Sequence, residues 1–217
     1  MFLLSCTSKS TSHFDKSFEE EYPDGTLKRE CKFIGLINKT NYRHHCKLYH
    51  QNGNLAQEGD FINDTLATGW HIYYRANGTL KAKREYFQLS SNMIYLNQVI
   101  RFEANGDTDK DASNYYSMYF DKDTIAEGED LSTHFKLDAP YFKNSYITIT
   151  LVAERGANEI LASDGTLSSD QQIHASARKG EYQLKGFIDE IENKGRVGDT
   201  IKVLKRPLYF NKTYWVK

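Results

Sequence analysis

The sequence contains little proline, little cysteine and no long apolar run. With 3 prolines in 217 residues, turns must be formed chiefly by Asn, Asp and the 14 glycines. A helix that crosses a bilayer needs about 18 or more consecutive apolar residues. The sequence has no such run, so it predicts no membrane-spanning helix.

An excess of charge of one sign is also missing. The 28 Lys and Arg residues balance 29 Asp and Glu residues, and the basic residues are scattered along the chain. Binding to nucleic-acid phosphates needs a focused positive patch, so we predict no nucleic-acid partner. Aromatic residues are abundant instead, with 15 Tyr and 12 Phe, and these residues favour strands.

Turn-forming dipeptides recur at a nearly constant spacing. They lie 28, 25 and 28 residues apart, at Asp24-Gly25, Asn52-Gly53, Asn77-Gly78 and Asn105-Gly106. Such dipeptides typically form type I′ turns between paired strands. A second polar turn lies midway between successive dipeptides, at Asn38-Lys39, Asn63-Asp64-Thr65 and Ser91-Asn92. Each repeat is therefore predicted to be strand, turn, strand, turn. The sequence therefore predicts an antiparallel meander.

Opposed charges test the register of this meander. Folding the chain about its first turns places residues of opposite charge, or two cysteines, directly across from each other, which supports a cross-strand register. The predicted pairs are Glu21 with Lys28, Glu20 with Arg29, Glu30 with Lys47, and Cys31 with Cys46. A disulfide between Cys31 and Cys46 is possible in this register, and two half-buried free cysteines are the alternative.

The third cysteine lies in a different setting. Leu3-Leu4-Ser5-Cys6 resembles a bacterial lipobox, which implies that Cys6 carries a lipid. Only five residues precede Cys6, so the true start lies upstream or the match is chance. We expect residues 1–18 to be a truncated lipoprotein signal and a polar tether. In an exported protein, an even pair of remaining cysteines suggests a disulfide.

The best-preserved repeat is Tyr49–Leu80. Its segment G-D-F-I-N-D-T-L-A-T-G-W-H-I-Y-Y-R-A-N-G-T-L, Gly59–Leu80, resembles the variant MORN repeat of bacteria. The resemblance extends over about residues 20–105, and Gly69 and Trp70 are adjacent, which is a small departure from the family pattern. It implies a sheet of stacked hairpins and brings no catalytic residues. Members of that family are often assigned immunity or antitoxin roles.

Three constellations could suggest chemistry, and each has a simpler explanation. The acidic series at 107, 109 and 111 resembles a calcium loop, but Ala112 and Met118 replace its required Gly and Glu. A His-rich tract (His44, His45, Cys46, His50) has no evident distant ligand. Ser168-Ser169-Asp170 and His174 have no nucleophile-elbow motif. We predict no catalytic residue, no metal and no cofactor.

Aromatic residues supply the remaining candidate site. Neighbouring strand residues point to opposite faces, so some of these side chains must lie outward or be covered. Partial burial on both faces is the simpler interpretation, and a surface for a partner or glycan is the functional one. The candidate binding residues are Trp70, Tyr73, Tyr74, Tyr86, Phe87 and Tyr95.

The second part of the chain has a different pattern. We place the boundary near residue 121, which predicts a repeat meander over 19–121 and a small β-sandwich over 122–217. The segment Gly180–Gly186 resembles a strand of immunoglobulin-like modules of bacterial surface lipoproteins. The predicted strands are Thr133–Leu137, Tyr146–Ala153, Glu159–Ala162, Gln172–Ala177, Glu181–Ile191, Thr200–Leu204 and Thr213–Val216.

These observations favour an all-β, non-enzymatic protein of the bacterial cell envelope. We expect it to be held at the outer membrane or periplasmic face by a lipid anchor and to bind another envelope protein or a surface polymer. The alternative is an immunity or antitoxin protein that neutralises a partner toxin, in which case the protein could be cytoplasmic.

Overall fold

The computed structural model describes residues 17–90, 93–152, 159–161, 166–174 and 178–217. These residues form fifteen strands and no helix. The strands are β1 Phe18–Glu21, β2 Leu27–Leu36, β3 Tyr42–Tyr49, β4 Leu55–Ile62, β5 Leu66–Tyr74, β6 Leu80–Ser90, β7 Met93–Phe102, β8 Thr108–Phe120, β9 Thr124–Ile125, β10 Asp130–Ala139, β11 Ser145–Leu151, β12 Glu159–Leu161, β13 Ser168–His174, β14 Gly180–Val197 and β15 Thr200–Val216.

The predicted all-β class and the long antiparallel meander are confirmed. The larger sheet has ten strands, which follow chain order from β1 to β8 and continue with β10 and β13. The smaller sheet has the order β12-β11-β14-β15-β9, and its pairing between β15 and β9 is parallel. The chain divides into two compact units, Met1–Leu80 and Lys81–Lys217. Each unit is described by itself below.

The four Gly-containing turns share one hydrogen-bond pattern. Each glycine N–H donates to the carbonyl three residues earlier, at 2.8 to 3.2 Å. The Asp or Asn before the glycine accepts the N–H two residues further on through its side-chain oxygen, as in Asx-turns. This repetition includes the turn at Asn105-Gly106, where the sequence resemblance was weak.

The predicted type I′ geometry is wrong at these four turns. In the described residues the glycines have positive φ, whereas the preceding Asp and Asn do not. The side-chain hydrogen bond stabilises an ordinary φ at the Asx residue, so the glycine alone takes up the left-handed conformation. Two consecutive positive φ angles occur instead at Asn63 and Asp64, 49° and 62°.

The predicted register in the first unit is largely confirmed. Glu20 lies opposite Arg29, Glu30 opposite Lys47, and Cys31 opposite Cys46. The pairing of Glu21 with Lys28 is wrong, because an irregularity after Glu20 places Glu21 opposite Leu27. Cys31 and Cys46 are joined by a disulfide, and both residues are buried.

The second unit contains the hydrophobic core. Leu131, Phe135 and Leu137 of β10 pack with apolar residues of β11, β14 and β15, and all of these side chains are buried. Two sheets therefore enclose one core, as a β-sandwich requires. One layer includes β10, which pairs with β8 on one side and with β13 on the other. The larger sheet thus continues past residue 121.

Strands β10, β14 and β15 of the second unit are longer than the sequence predicts. The two segments Thr200–Leu204 and Thr213–Val216 are parts of one strand, β15, which runs through Pro207. Proline is tolerated in a strand where no ladder partner needs its missing N–H. Of the predicted strand ends, Ala153, Ala162 and residues 175–177 lie outside the described residues.

Asn97 takes the place of a strand partner for β15. This fully buried residue of β7 accepts the N–H of Tyr209 through Oδ1 at 2.7 Å and donates Nδ2–H to the carbonyl of Tyr209 at 2.7 Å. Its Nδ2 also donates to Glu85 Oε2 at 2.6 Å. The guanidinium of Arg206 donates to the carbonyl of Asn97 at 2.9 Å. One side-chain amide thereby satisfies both main-chain groups of Tyr209.

We expect Asn97→Leu to lower the free energy of unfolding by about 1–3 kcal/mol, because the N–H of Tyr209 would lose its buried acceptor. The C=O of Tyr209 would keep the hydroxyl of Tyr116, and Glu85 would keep the amide of Gln98. Chemical denaturation measures this change. The matched control is Asn211→Leu, which replaces an exposed asparagine of β15 and should change stability by less than about 0.5 kcal/mol. Equal effects of the two substitutions would contradict the assigned role of Asn97.

Candidate functional site

Two turns of the first unit meet at one end of its sheet. The β2–β3 turn, residues 37–41, and the β4–β5 turn, residues 63–65, are joined by hydrogen bonds. Asn63 accepts the N–H of Tyr42 through Oδ1 at 3.1 Å and donates its own N–H to the carbonyl of Tyr42 at 3.1 Å. Its Nδ2 donates to Asn41 Oδ1 at 2.8 Å. We call this edge of the unit the turn end.

Asp64 is the centre of the polar contacts at the turn end. Its Oδ2 accepts the hydroxyl of Tyr42 at 2.8 Å, and its Oδ1 lies 2.7 Å from His44 Nδ1. Arg29 donates to the main-chain carbonyl of Asp64 at 2.9 Å. The positive φ of Asp64 turns the chain sharply enough for both its carboxylate and its carbonyl to be used. We name these residues the Asp64 cluster: Arg29, Tyr42, His44, Asn63 and Asp64.

Aromatic rings surround the imidazole of His44. The rings of Phe18, Phe33 and Tyr42 meet it edge-on, with centroids 5.2 to 5.6 Å away. His44 is only 2% exposed, so a substrate could not reach its ring in this arrangement. A histidine, a carboxylate and a phenol are the groups of acid–base chemistry, but here they brace two turns against each other.

A second buried histidine lies beside the disulfide. Cys46 is opposite Gly59 in the β3–β4 register, and His71 packs against Gly59. A Cβ added at Gly59 would lie 2.5 Å from the His71 ring, so a side chain there would displace the imidazole. His71 Nε2–H donates to the carbonyl of Asp60 at 2.8 Å, and Nδ1 accepts from Gln57 Nε2 at 2.9 Å. Both nitrogens are therefore satisfied in the neutral tautomer.

The β2–β3 hairpin carries exposed aliphatic side chains near its turn. Ile34 is 52% exposed, Leu36 66% and Ile37 43%. Together with Arg43 they line an open groove of about 310 Å³. Lys39 lies in the β2–β3 turn, between Ile37 and Arg43 in the sequence, and is exposed. We call Ile34, Leu36, Ile37, Lys39 and Arg43 the hairpin tip.

The predicted aromatic site is divided between the two units. In the first unit, Trp70 is 43% exposed, and the hydroxyl of Tyr74 donates to Glu58 Oε1 at 2.8 Å. In the second unit, Phe87 stacks on Tyr209 with centroids 5.3 Å apart, and the Tyr95 hydroxyl donates to the carbonyl of Pro207 at 3.2 Å. Tyr73 and Tyr86 are half-buried. Packing within each unit thus occupies several of these side chains.

The other constellations form no shared site in the described part of the chain. In that part, no group of three or more His, Cys, Asp or Glu residues is placed to hold a metal. Asp109 instead caps the N–H of Ala112 at 3.0 Å. Asp170 is 2.7 Å from His134 Nδ1, and Ser169 is buried. The side chain of His174 is outside the described set. Within the described residues, no helix is long and apolar enough to span a membrane.

Sequence reasoning missed the Asp64 cluster and the hairpin tip. The segment Asn63-Asp64-Thr65 was recognised as a turn, but nothing in the sequence shows that Asp64 faces Tyr42 and His44 from the adjacent turn. For the hairpin tip a signal was available, because Ile34, Leu36 and Ile37 directly precede the predicted turn at Asn38-Lys39. Apolar side chains at the end of a hairpin have few neighbours to cover them, and a group of exposed ones marks an interaction site.

Comparisons with known proteins gave no match. No family model matches the chain, and no curated protein or solved structure shows significant similarity to it. The resemblance to variant MORN repeats therefore stays a prediction.

The role of Asp64 is tested by two substitutions that separate its carboxylate from its backbone conformation. We expect Asp64→Gly to lower the free energy of unfolding by about 1–3 kcal/mol, because Tyr42 and His44 lose their shared acceptor. Asp64→Ala should cost about 1 kcal/mol more, since alanine is strained at positive φ whereas glycine is not. Denaturation of both variants measures the difference. A fully stable Asp64→Gly variant would rule out a bracing role for the carboxylate.

The buried imidazole of His71 predicts a dependence of stability on pH. Burial lowers the pKa of His71 below its ordinary value, so the unfolded chain binds this proton more readily than the folded chain. The contribution of neutral His71 to the free energy of unfolding is therefore intact above about pH 6.5, the ordinary histidine pKa. It is lost as the pH falls towards the lower pKa of His71 in the folded chain. Between pH 7 and pH 5, unfolding free energies should fall more steeply for the natural protein than for His71→Gln. Parallel slopes would contradict this expectation.

Proposed function

We propose that this protein is a non-enzymatic protein of the bacterial cell envelope, anchored by a lipid on Cys6, whose β-sheet surfaces bind another envelope protein or a surface polymer. The observation that carries the proposal is the buried disulfide between Cys31 and Cys46. Disulfides form and persist in oxidising compartments and are rare in the cytosol. A disulfide in the first unit therefore supports export, and export is what the lipobox-like Leu3-Leu4-Ser5-Cys6 implies.

The same disulfide gives Cys6 a distinct role. Of the three cysteines, two are bonded to each other in the first unit. Cys6 is thereby the single cysteine left for modification, and a thioether-linked lipid uses such a thiol. Partner binding would occur across a broad surface. Trp70 is the most exposed of the predicted aromatic residues, and large aromatic side chains contribute strongly to interfaces.

The immunity or antitoxin alternative has only the repeat resemblance as its support. The disulfide argues against a cytoplasmic site of action. A role in neutralising a toxin outside the cytoplasm would be consistent with both the repeat resemblance and the disulfide. A lipid anchor would be compatible with that role.

Metabolic labelling with a fatty-acid analogue tests the anchor. In a bacterial host that exports it, the chain should incorporate the label and sediment with membranes, because the lipid partitions into the bilayer. Cys6→Ala should abolish both. The experiment expresses the chain from its own gene, and Cys31→Ala/Cys46→Ala is the control that removes the cysteines elsewhere. Equal labelling of Cys6→Ala and the natural protein would remove the proposal.

A further inference from the structure

Three features occur together at the hairpin tip. The first is exposed apolar area at its three aliphatic residues, Ile34, Leu36 and Ile37. Single exposed aliphatic residues are ordinary on a protein surface, whereas neighbouring ones mark an interaction site. All three line the same open groove, together with Arg43, so they form one patch.

The second feature is a local excess of positive charge. The whole chain is nearly neutral, with a formal net charge of −1. Between Glu30 and Glu58, however, no Asp or Glu occurs, and this stretch carries Lys32, Lys39, Arg43 and Lys47. Lys39 and Arg43 belong to the hairpin tip itself. A partner of the tip is therefore expected to be negatively charged next to an apolar region.

The third feature is a rigid turn. Asn38 Oδ1 accepts the N–H groups of Thr40 and Asn41 at 2.9 Å each and the hydroxyl of Thr40 at 3.1 Å. The N–H of Ile37 donates to the carbonyl of Asn41 at 2.8 Å. Asn63 holds the turn from the neighbouring β4–β5 turn. Because the turn is already ordered, binding would cost little conformational entropy.

The place where the described chain begins points to the partner. Strand β1 runs antiparallel to β2, with Phe18 opposite Cys31. Ser17 Oγ then accepts the N–H of Phe33 at 3.3 Å. The described chain thus starts at the same end of the sheet as the hairpin tip, next to Ile34. Only ten residues separate Cys6 from Ser17, which reach at most about 35 Å when extended.

We propose that the hairpin tip docks on the surface of an anionic lipid bilayer, the membrane that holds the lipid of Cys6. This inference rests on the proposed function for the anchor. The side chains of Ile34, Leu36 and Ile37 enter the boundary between headgroups and acyl chains, while Lys39 and Arg43 contact lipid phosphates. The lipid anchor and the hairpin tip then bind the membrane together. Either contact alone would give only weak, reversible binding.

Sedimentation with lipid vesicles tests the hairpin tip independently of lipidation. The protein is the full chain carrying Cys6→Ala, purified with the disulfide intact, so no lipid can contribute. The vesicles contain phosphatidylcholine alone or mixed with phosphatidylglycerol. We expect binding to the mixed vesicles that decreases with added salt. The triple change Ile34→Ser, Leu36→Ser and Ile37→Ser should weaken this binding by about tenfold or more, which is about 1.4 kcal/mol.

Two further variants keep the test specific. Ile201→Ser with Val203→Ser removes exposed aliphatic residues of the second unit and should leave vesicle binding unchanged. Lys39→Gln with Arg43→Gln leaves the apolar residues in place and should weaken binding to the mixed vesicles only, which keeps the test usable if the triple variant fails to fold.

Two results would overturn the inference. They are no binding of the parent chain to either vesicle, and equal loss of binding in the tip and control variants. A protein partner would then be the better occupant of the hairpin tip. Because these vesicle experiments contain no lipid on Cys6, their failure is distinguishable from failure of the labelling experiment.

Discussion

Hydrogen bonding between antiparallel strands is the interaction on which this structure depends. In the described residues all regular structure is strand, so each buried main-chain donor and acceptor must find its partner on a neighbouring strand or on a side chain. The turns set which residues meet, and each of the four Asx-Gly turns is stabilised by its Asx side chain in the same manner. At Tyr209, which lies opposite Phe187 of β14, the side-chain amide of Asn97 supplies further main-chain pairing for β15.

The two units satisfy this constraint with different interiors. The second unit encloses an apolar core between two layers of strands, and the buried hydrophobic cluster lies entirely within it. The first unit has few buried hydrophobic side chains. In their place it buries a disulfide, His44 and His71. A disulfide reduces the conformational freedom of the unfolded chain, which compensates for a small core. Hydrogen bonds between side chains of neighbouring strands add to these buried polar groups. The hydroxyl of Tyr49, for example, donates to Glu30 Oε1 at 2.7 Å.

The bracing of the turn end connects this architecture to the proposed role. The Asp64 cluster fixes the β2–β3 turn, and the turn presents apolar and basic side chains to solvent. A surface that docks on a membrane needs an ordered backbone and exposed side chains. The hydrogen bonds of Asn38 and Asn63 order the turn and leave the side chains of the hairpin tip exposed. His44, one of the histidines that suggested metal or acid–base chemistry, instead holds a carboxylate inside the unit. A further buried histidine, His71, fills the space above Gly59.

The sequence by itself determined the fold class, the period of the repeat and most of the register, because turn dipeptides, opposed charges and two cysteines are local signals. Glu20 with Arg29 and Cys31 with Cys46 could be paired by counting outward from a turn. The shift at Glu21 could not, because an irregularity in the ladder leaves no mark on composition.

Only the tertiary structure decided what lies between elements distant in sequence. It placed Asp64 against Tyr42 and His44, and Asn97 against Tyr209, which is 112 residues away along the chain. It also brought Ser17 beside Phe33, next to the hairpin tip. Such contacts depend on how strands are ordered in a sheet and how layers pack. No local pattern of residues encodes that order, because the same alternating strand can pair with many neighbours.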